Sequence, residues 1–364
     1  MGLIDRIFLR DAVDGGKGSG NFGHKGRPGQ VGGSGKGGAK ANSSAAKSSS
    51  VAYSDGHGGL TGQGALTSSY KSKHVTDEDR KSFRDFVDRR KSSMRMYGGM
   101  QAKGLSSAGM QVRDEIAKRV RLRKKAKDLP DWNPEGQVQT EDIYDVLRDC
   151  RSFGATTDEA KAKVLPVVSE LSQERTDAIV QEALEAIPTD WLEQAEFPVE
   201  IHIVNASGRA AYHPQWTNNN GAGVIVVHAK ESPSVVRDLD LPTDELTDMA
   251  IANQLRHELG HYIEESNYGI GSLCREYLAA RTKDSPTEYN GLGEELKPDK
   301  FFTGYMGRQY SYGATEILSC CLQALGYSNP VEYMRGGTLF ANAKDLDSYK
   351  FALGLLAFKD GGYF

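Results

Sequence analysis

The chain has 364 residues, with 45 Lys and Arg against 49 Asp and Glu, for a net charge of −4. That near balance conceals an asymmetry: residues 1–130 carry 26 basic and 12 acidic side chains, net +14, and residues 131–364 carry 19 and 37, net −18. A mean hydropathy of −0.53, with no apolar run of roughly 18 residues, excludes a membrane-spanning helix. The four cysteines, at 150, 274, 320 and 321, lack C-x-x-C spacing and imply neither a disulfide framework nor a zinc ribbon.

In chain order, Leu3–Val13 reads as a small amphipathic helix, too short and interrupted for a secretory segment, and Arg6 stands where a myristoylation signal needs Ser or Thr. Residues 15–64 hold 17 of the 41 glycines and almost nothing to bury. Ordering them would cost about 1–2 kcal/mol per residue with no core in return, so residues 1–75 are expected to be a flexible basic arm. Thr76, followed by Asp77, Glu78 and Asp79, predicts a helix start. Further helices are expected over about 109–128, from Thr140 to Cys150, and from Thr157 through AKAKVLPVVSELS with an interruption at Pro166. The apolar spacing of residues 173–187 predicts another. Residues 76–190 thus read as a helical region, basic at its start.

The pattern changes after Phe197. Val199–Ile203 and Val224–His228 read as strands, separated by a Gly/Asn/Pro-rich loop. Helices are expected from Thr243 to about Ser266, from about Ala314 to Leu325 and from Leu346 to Phe358. The predicted fold class is α+β, with a small sheet over the Thr243–Ser266 helix and a separate domain at 191–364.

That helix contains His257-Glu-Leu-Gly-His261. Histidines four apart on a helix face the same way, one turn displaced, which places two imidazoles on one Zn2+ ion. Glu258 can then act as general base on a metal-bound water without being a ligand. The bland alternative is a pair of histidines on a solvated face, and a chance HExxH arises in about 1% of such chains. Gly260, unfavourable within a helix by about 1 kcal/mol, would be explained by close packing at a site. A third ligand is required, and Glu264 and Asn267 occupy the positions where a third histidine would stand. Among the downstream carboxylates, Glu264 and Glu265 should point past the metal. Glu276 lies on what looks like an exposed helix face. Glu316 is preferred, because it opens an apolar helix where a buried charge needs a partner. Its alternative role is to stabilise that helix's dipole.

HELGH followed at a distance by Gly307-Arg-Gln-Tyr-Ser-Tyr-Gly-Ala-Thr-Glu-Ile-Leu-Ser resembles the gluzincins, zincins with two His and one Glu. It is distantly similar to the anthrax lethal factor peptidase domain and more closely to metallopeptidase-like domains of tailed-phage and prophage head proteins. The likeness covers about residues 195–360. GSGNFGHKGRPGQVGGS likewise resembles a short motif of phage head-morphogenesis proteins. The resemblance implies a zincin-like fold and a zinc endopeptidase with His257, His261 and Glu316 as ligands and Glu258 as base. It also implies a tyrosine that steadies the oxyanion, either Tyr310 or Tyr312, with Tyr310 preferred. The substrate would be a protein, and the setting a virion or host cytoplasm. The strand Val224–His228 could take substrate by edge addition.

The arm could dock on phage head or capsid components. The basic stretches RVRLRKKAK and DRRKSSMR could touch nucleic acid weakly and non-specifically through phosphates, form a solvated face, or dock on the acidic half. Rival readings are a virion structural or interaction protein with a non-catalytic zincin module, and a metalloprotease toxin.

Overall fold

The computed structural model describes residues 53–54, 60–61, 66, 70–96, 101–124, 133–218, 220–230, 247–289, 295–297, 299–327, 329–334 and 345–361. Residues 1–52, which hold the 3–13 segment and most glycines of the expected arm, lie outside them, whereas 53–54, 60–61, 66 and 70–75 of that arm are described. Residues 51–290 and 294–364 belong to one unit.

Two short strands, β1 (Tyr53–Ser54) and β2 (Leu60–Thr61), pair antiparallel. Helix α1 (Asp77–Met96) begins as its sequence predicts. Thr76 Oγ1 accepts from Asp79 N at 3.1 Å, and Thr76 N donates to Asp79 Oδ2 at 3.3 Å, so each residue satisfies a donor of the other. Helix α2 (Ala102–Lys124) starts earlier than its composition suggests, because two glycines weaken the local signal. One of them, Gly109, meets Gly354 of the last helix: a Cβ on Gly109 would fall 1.8 Å from the Lys350 carbonyl oxygen. Backbone contact between helices explains a glycine that propensity disfavours.

Helices α3 (Thr140–Arg148) and α4 (Asp158–Ala162) follow, the latter capped by Thr157, whose Oγ1 accepts from Ala160 N at 3.2 Å. After Pro166 the chain does not resume a helix. It forms β3 (Val167–Ser169), whose β-branched residues pair in parallel with the next strand. Helices α5 (Gln173–Leu184) and α6 (Thr189–Glu193) lead to β4 (Val199–Ser207), β5 (Ala211–His213) and β6 (Gly223–Lys230). The sheet order is β3-β4-β6-β5, with β5 alone antiparallel. This corrects the expectation of edge addition on Val224–His228. Strand β6 is flanked by β4 and β5, and the outer strand on its side is β5, which the Gly/Asn content of its loop had hidden.

Helix α7 (Asp248–Ser266) packs on β5 and β6, and α8 (Tyr268–Arg281) follows it. A small antiparallel sheet of β7 (Glu288–Tyr289), β8 (Glu295–Leu296) and β9 (Arg308–Gln309) precedes α9 (Ile317–Leu325), α10 (Pro330–Met334) and α11 (Leu346–Phe358). The architecture is therefore mixed helix and sheet. Helix α11 lies along α2 and also touches α9, so residues read as a tether share a core with those read as catalytic.

Part of the basic face is consumed internally. Arg119, 1% exposed, donates to Asp145 Oδ2 at 3.0 Å and Asp149 Oδ2 at 2.5 Å. Arg80 reaches Asp145 at 2.9 Å, and Arg123 reaches Asp142 at 2.7 Å. Buried arginines of this kind need such partners. Among the described residues no helix is long and apolar enough to cross a membrane.

Candidate metal centre

Thr247 caps α7 by accepting from Ala250 N at 3.2 Å, and residues Ala250–Ile263 are all buried. A helix covered on every side can carry polar groups only where a neighbour satisfies them. On α7 the stripe His257, His261 and Glu264 faces the start of α9, at the spacing that keeps side chains on one helix face.

Glu264 fixes that start. Its carboxylate accepts from Thr315 N at 2.8 Å, Thr315 Oγ1 at 2.9 Å and Leu318 N at 3.0 Å, taking up free donors at the N-terminus of α9. Burial still raises its pKa, although these bonds oppose the shift. Glu264 is thus engaged by the start of α9, and it seats Glu316, which is the N-cap of α9 and not a first-turn residue. Glu265 accepts from the Tyr212 hydroxyl, and Glu276 is exposed, accepting from Ala102 N at 3.2 Å.

Gly260 lets α7 and α9 approach. A Cβ there would lie 2.5 Å from Ser319 Cα and 2.7 Å from Ser319 N. Backbone cannot yield as a side-chain tip can, so Gly260→Ala is expected to cost about 1–3 kcal/mol and to weaken metal binding by displacing Glu316. Denaturant melts and a metal titration check both, and unchanged values would refute the packing argument.

The segment before α9 folds back on itself. Gly313, at φ +94°, makes a turn in which Tyr310 N donates to the Ala314 carbonyl at 3.0 Å and Gly313 N to the Tyr310 carbonyl at 2.9 Å. A left-handed residue there favours glycine. The turn carries the Tyr310 hydroxyl to Glu316 Oε1, to which it donates. Ser319 Oγ donates to Glu316 Oε2 at 2.9 Å.

Glu316 is fully buried, and its Oε2 lies 3.3 Å from His257 Nε2 and 3.4 Å from His261 Nε2. Ligand atoms on a tetrahedral ion with bonds near 2.0–2.1 Å stand about 3.4 Å apart, so each histidine taken singly is at ligand spacing from Glu316, whereas the three side chains whose ligand atoms all lie within 4.8 Å of one another are His257, Glu316 and Cys320. Burial alone would lower the His261 pKa, but the charge and hydrogen bond of Glu316 outweigh it and raise the pKa to about 9. The same partners hold Glu316 well below the usual carboxylate range, against the opposing effect of burial.

The second nitrogen of each histidine differs. His257 Nδ1 lies 3.2 Å from Gln323 Oε1, which accepts from it and leaves Nε2 as the ligand atom. His261 Nδ1 has no hydrogen-bond partner among the described residues; its ring packs edge-on against Tyr310, centroids 5.6 Å apart. Gln323→Leu is expected to lower metal affinity about 10–100-fold, measured by competition with a chelating dye; unchanged affinity would remove Gln323 from the centre.

Cys320 also belongs here, one turn beyond Glu316. Its Sγ is 3.9 Å from Glu316 Oε2, and the ligand atoms of His257, Glu316 and Cys320 all lie within 4.8 Å of one another. Two groups thus compete to complete the set, His261 and Cys320. His261 is the nearer of the two to Glu316, and Cys320 is the one within 4.8 Å of both His257 and Glu316. Cysteine spacing alone excluded a zinc ribbon and gave Cys320 no role. The i, i+4 spacing from Glu316 was the signal that could have singled out Cys320.

Glu258 is 3% exposed and adjoins His257. Tyr310 and Tyr312 stack at 5.3 Å, and Trp216, 69% exposed, lies 6.4 Å from Tyr312, making an aromatic wall beside the histidines. Tyr305 Oη is 3.4 Å from Tyr310 Oη, and Arg308 Nη1 donates to Tyr305 Oη at 3.1 Å. Arg209 and Tyr305 carried no signal in the sequence, because two chain segments nearly a hundred residues apart bring Arg209 to Tyr305 and Arg308.

No family model, curated protein or solved structure matches this chain.

Proposed function

We propose that the chain is a zinc-dependent endopeptidase of gluzincin type with a zincin-like fold. The observation that carries this reading is the buried Glu316 carboxylate, set at ligand spacing from both histidines of an HExxH helix. His257, His261 and Glu316 would hold the ion, which when bound supplies a Lewis acid and a water of lowered pKa. Glu258 would take a proton from the attacking water and return it to the leaving amine. Tyr310 is committed to Glu316 in this structure and positions the ligand. It reaches an oxyanion only by exchanging that bond, and Tyr312 stacks behind it as the alternative. The outer strand β5 offers a short edge for an extended substrate.

Association with a phage particle rests on the sequence resemblance and on the arm, of which residues 1–52 lie outside the described residues. The pairing of Arg80, Arg119 and Arg123 with Asp142, Asp145 and Asp149 favours self-docking over nucleic-acid contact for those side chains.

The test combines zinc analysis with N-terminal profiling of a proteome extract treated with zinc-loaded or chelated protein. New N-termini with zinc alone are expected. Cys320→Ser is expected to keep full zinc occupancy. Loss of zinc in that variant, with His261→Ala unaffected, would replace the gluzincin set by His257, Glu316 and Cys320.

A further inference from the structure

The two oxygens of Glu316 meet different neighbours. Oε2 lies 3.3 Å from His257 Nε2 and 3.4 Å from His261 Nε2, and it accepts from Ser319 Oγ at 2.9 Å. Oε1 accepts from the Tyr310 hydroxyl. Behind Tyr310 the polar contacts continue outward. Tyr305 Oη lies 3.4 Å from Tyr310 Oη. Tyr305 Oη in turn accepts from Arg308 Nη1, on β9, at 3.1 Å and from Arg209 Nη2, in the connection from β4 to β5. Arg209 also feels the Glu258 and Glu316 carboxylates.

The order of protons along these contacts follows from the donors available. A phenol carries one proton, and Tyr310 gives its own to Glu316 Oε1. In the contact between the two phenols Tyr305 is therefore the donor and Tyr310 the acceptor. A guanidinium carries donors and no acceptor, so Arg209 and Arg308 also direct their protons inward. Every proton from the arginines to the centre thus points toward Glu316 Oε1. Donors aligned in this way polarise one another, which strengthens the last bond, the one to the carboxylate.

We propose that Arg209, Arg308, Tyr305 and Tyr310 form a positioning relay that occupies Glu316 Oε1 and leaves Oε2 as the single carboxylate oxygen offered to the metal. The inference rests on the zinc reading, and it holds whether His261 or Cys320 completes the ligand set. Its consequence is an open coordination position. If both carboxylate oxygens bound, they and two further protein ligands would fill a tetrahedral set and leave no place for water. With Oε1 held by Tyr310, the fourth position stays free for the water on which Glu258 acts.

Coordination can be read without turnover. The metal-free full chain is titrated with Co2+, whose visible absorption reports coordination geometry, and circular dichroism confirms that each variant is folded. The wild type is expected to give the intense band of a four-coordinate ion. In Tyr310→Phe the freed Oε1 should join the ion, and the band should weaken as the coordination number rises. Tyr305→Phe keeps the last phenol and removes the donor behind it, so its band should fall between those two. Arg209→Met combined with Arg308→Met should match Tyr305→Phe, and Arg209→Lys combined with Arg308→Lys, which keeps charge and donors, should match the wild type. A wild-type band in Tyr310→Phe or in Tyr305→Phe overturns the relay and leaves the metal reading standing. A wild-type band in the paired Met variant overturns the part assigned to the arginines. Absence of any Co2+ band in the wild type would overturn the metal reading and this inference with it.

Discussion

Glu258→Gln is expected to retain full zinc occupancy and lose hydrolysis by about 10²–10⁴-fold, the range that general acid–base catalysis supplies. The substitution keeps the shape of a side chain that is 3% exposed on α7, so folding should survive. It also leaves untouched the atoms around Glu316 Oε2, namely His257 Nε2, His261 Nε2 and the Ser319 hydroxyl. What it removes is a carboxylate able to accept a proton beside the centre. Wild type and variant would be compared at equal zinc content by the N-terminal profile each produces. If both cleave equally, Glu258 is not the base. If neither cleaves, the non-catalytic module is the better account.

Glu316→Ala is expected to lower zinc affinity by more than the roughly 10–100-fold typical of outer partners, because it removes a ligand. The physical reason is the burial of this carboxylate. Its negative charge offsets the ion's charge in a region with little water, and it orients two imidazoles at 3.3 and 3.4 Å. Removing it leaves the Tyr310 and Ser319 hydroxyls without their acceptor, which costs stability in the metal-free chain as well. Glu316→Gln, which keeps the volume and an acceptor, separates folding from metal loss. Zinc per chain after exhaustive dialysis is the measurement. Full occupancy in both variants would exclude Glu316 as a ligand.

The local periodicities reported the elements well where burial followed one face. Leu346–Phe358 was legible to the residue, and Thr76 with its three acids marked the start of α1. The misses have one physical cause, contacts between distant segments. Residues Val167–Ser169 form a strand because β4 offers them a parallel partner 34 positions on, which no local window contains. Strand β5 lies in a segment whose composition reads as loop and is held by β6. Helix α2 crosses Gly109 because Gly354 leaves room for it.

The candidate site divides in the same way. HELGH alone predicts two imidazoles on one helix face with a carboxylate beside them, because 3.6 residues per turn fixes that geometry wherever the helix packs. Glu316 could be named from its apolar setting, since a buried charge needs a partner. Tertiary structure alone decided that Glu264 caps α9 and seats Glu316, and that Gly260 sets the spacing between the two helices. It also brought Arg209 and Arg308 to one phenol oxygen across nearly a hundred residues. Helical spacing is a property of the covalent chain, so the sequence determines it alone. Close approach between helices and loops depends on which surfaces exclude water together, and only the folded chain settles that.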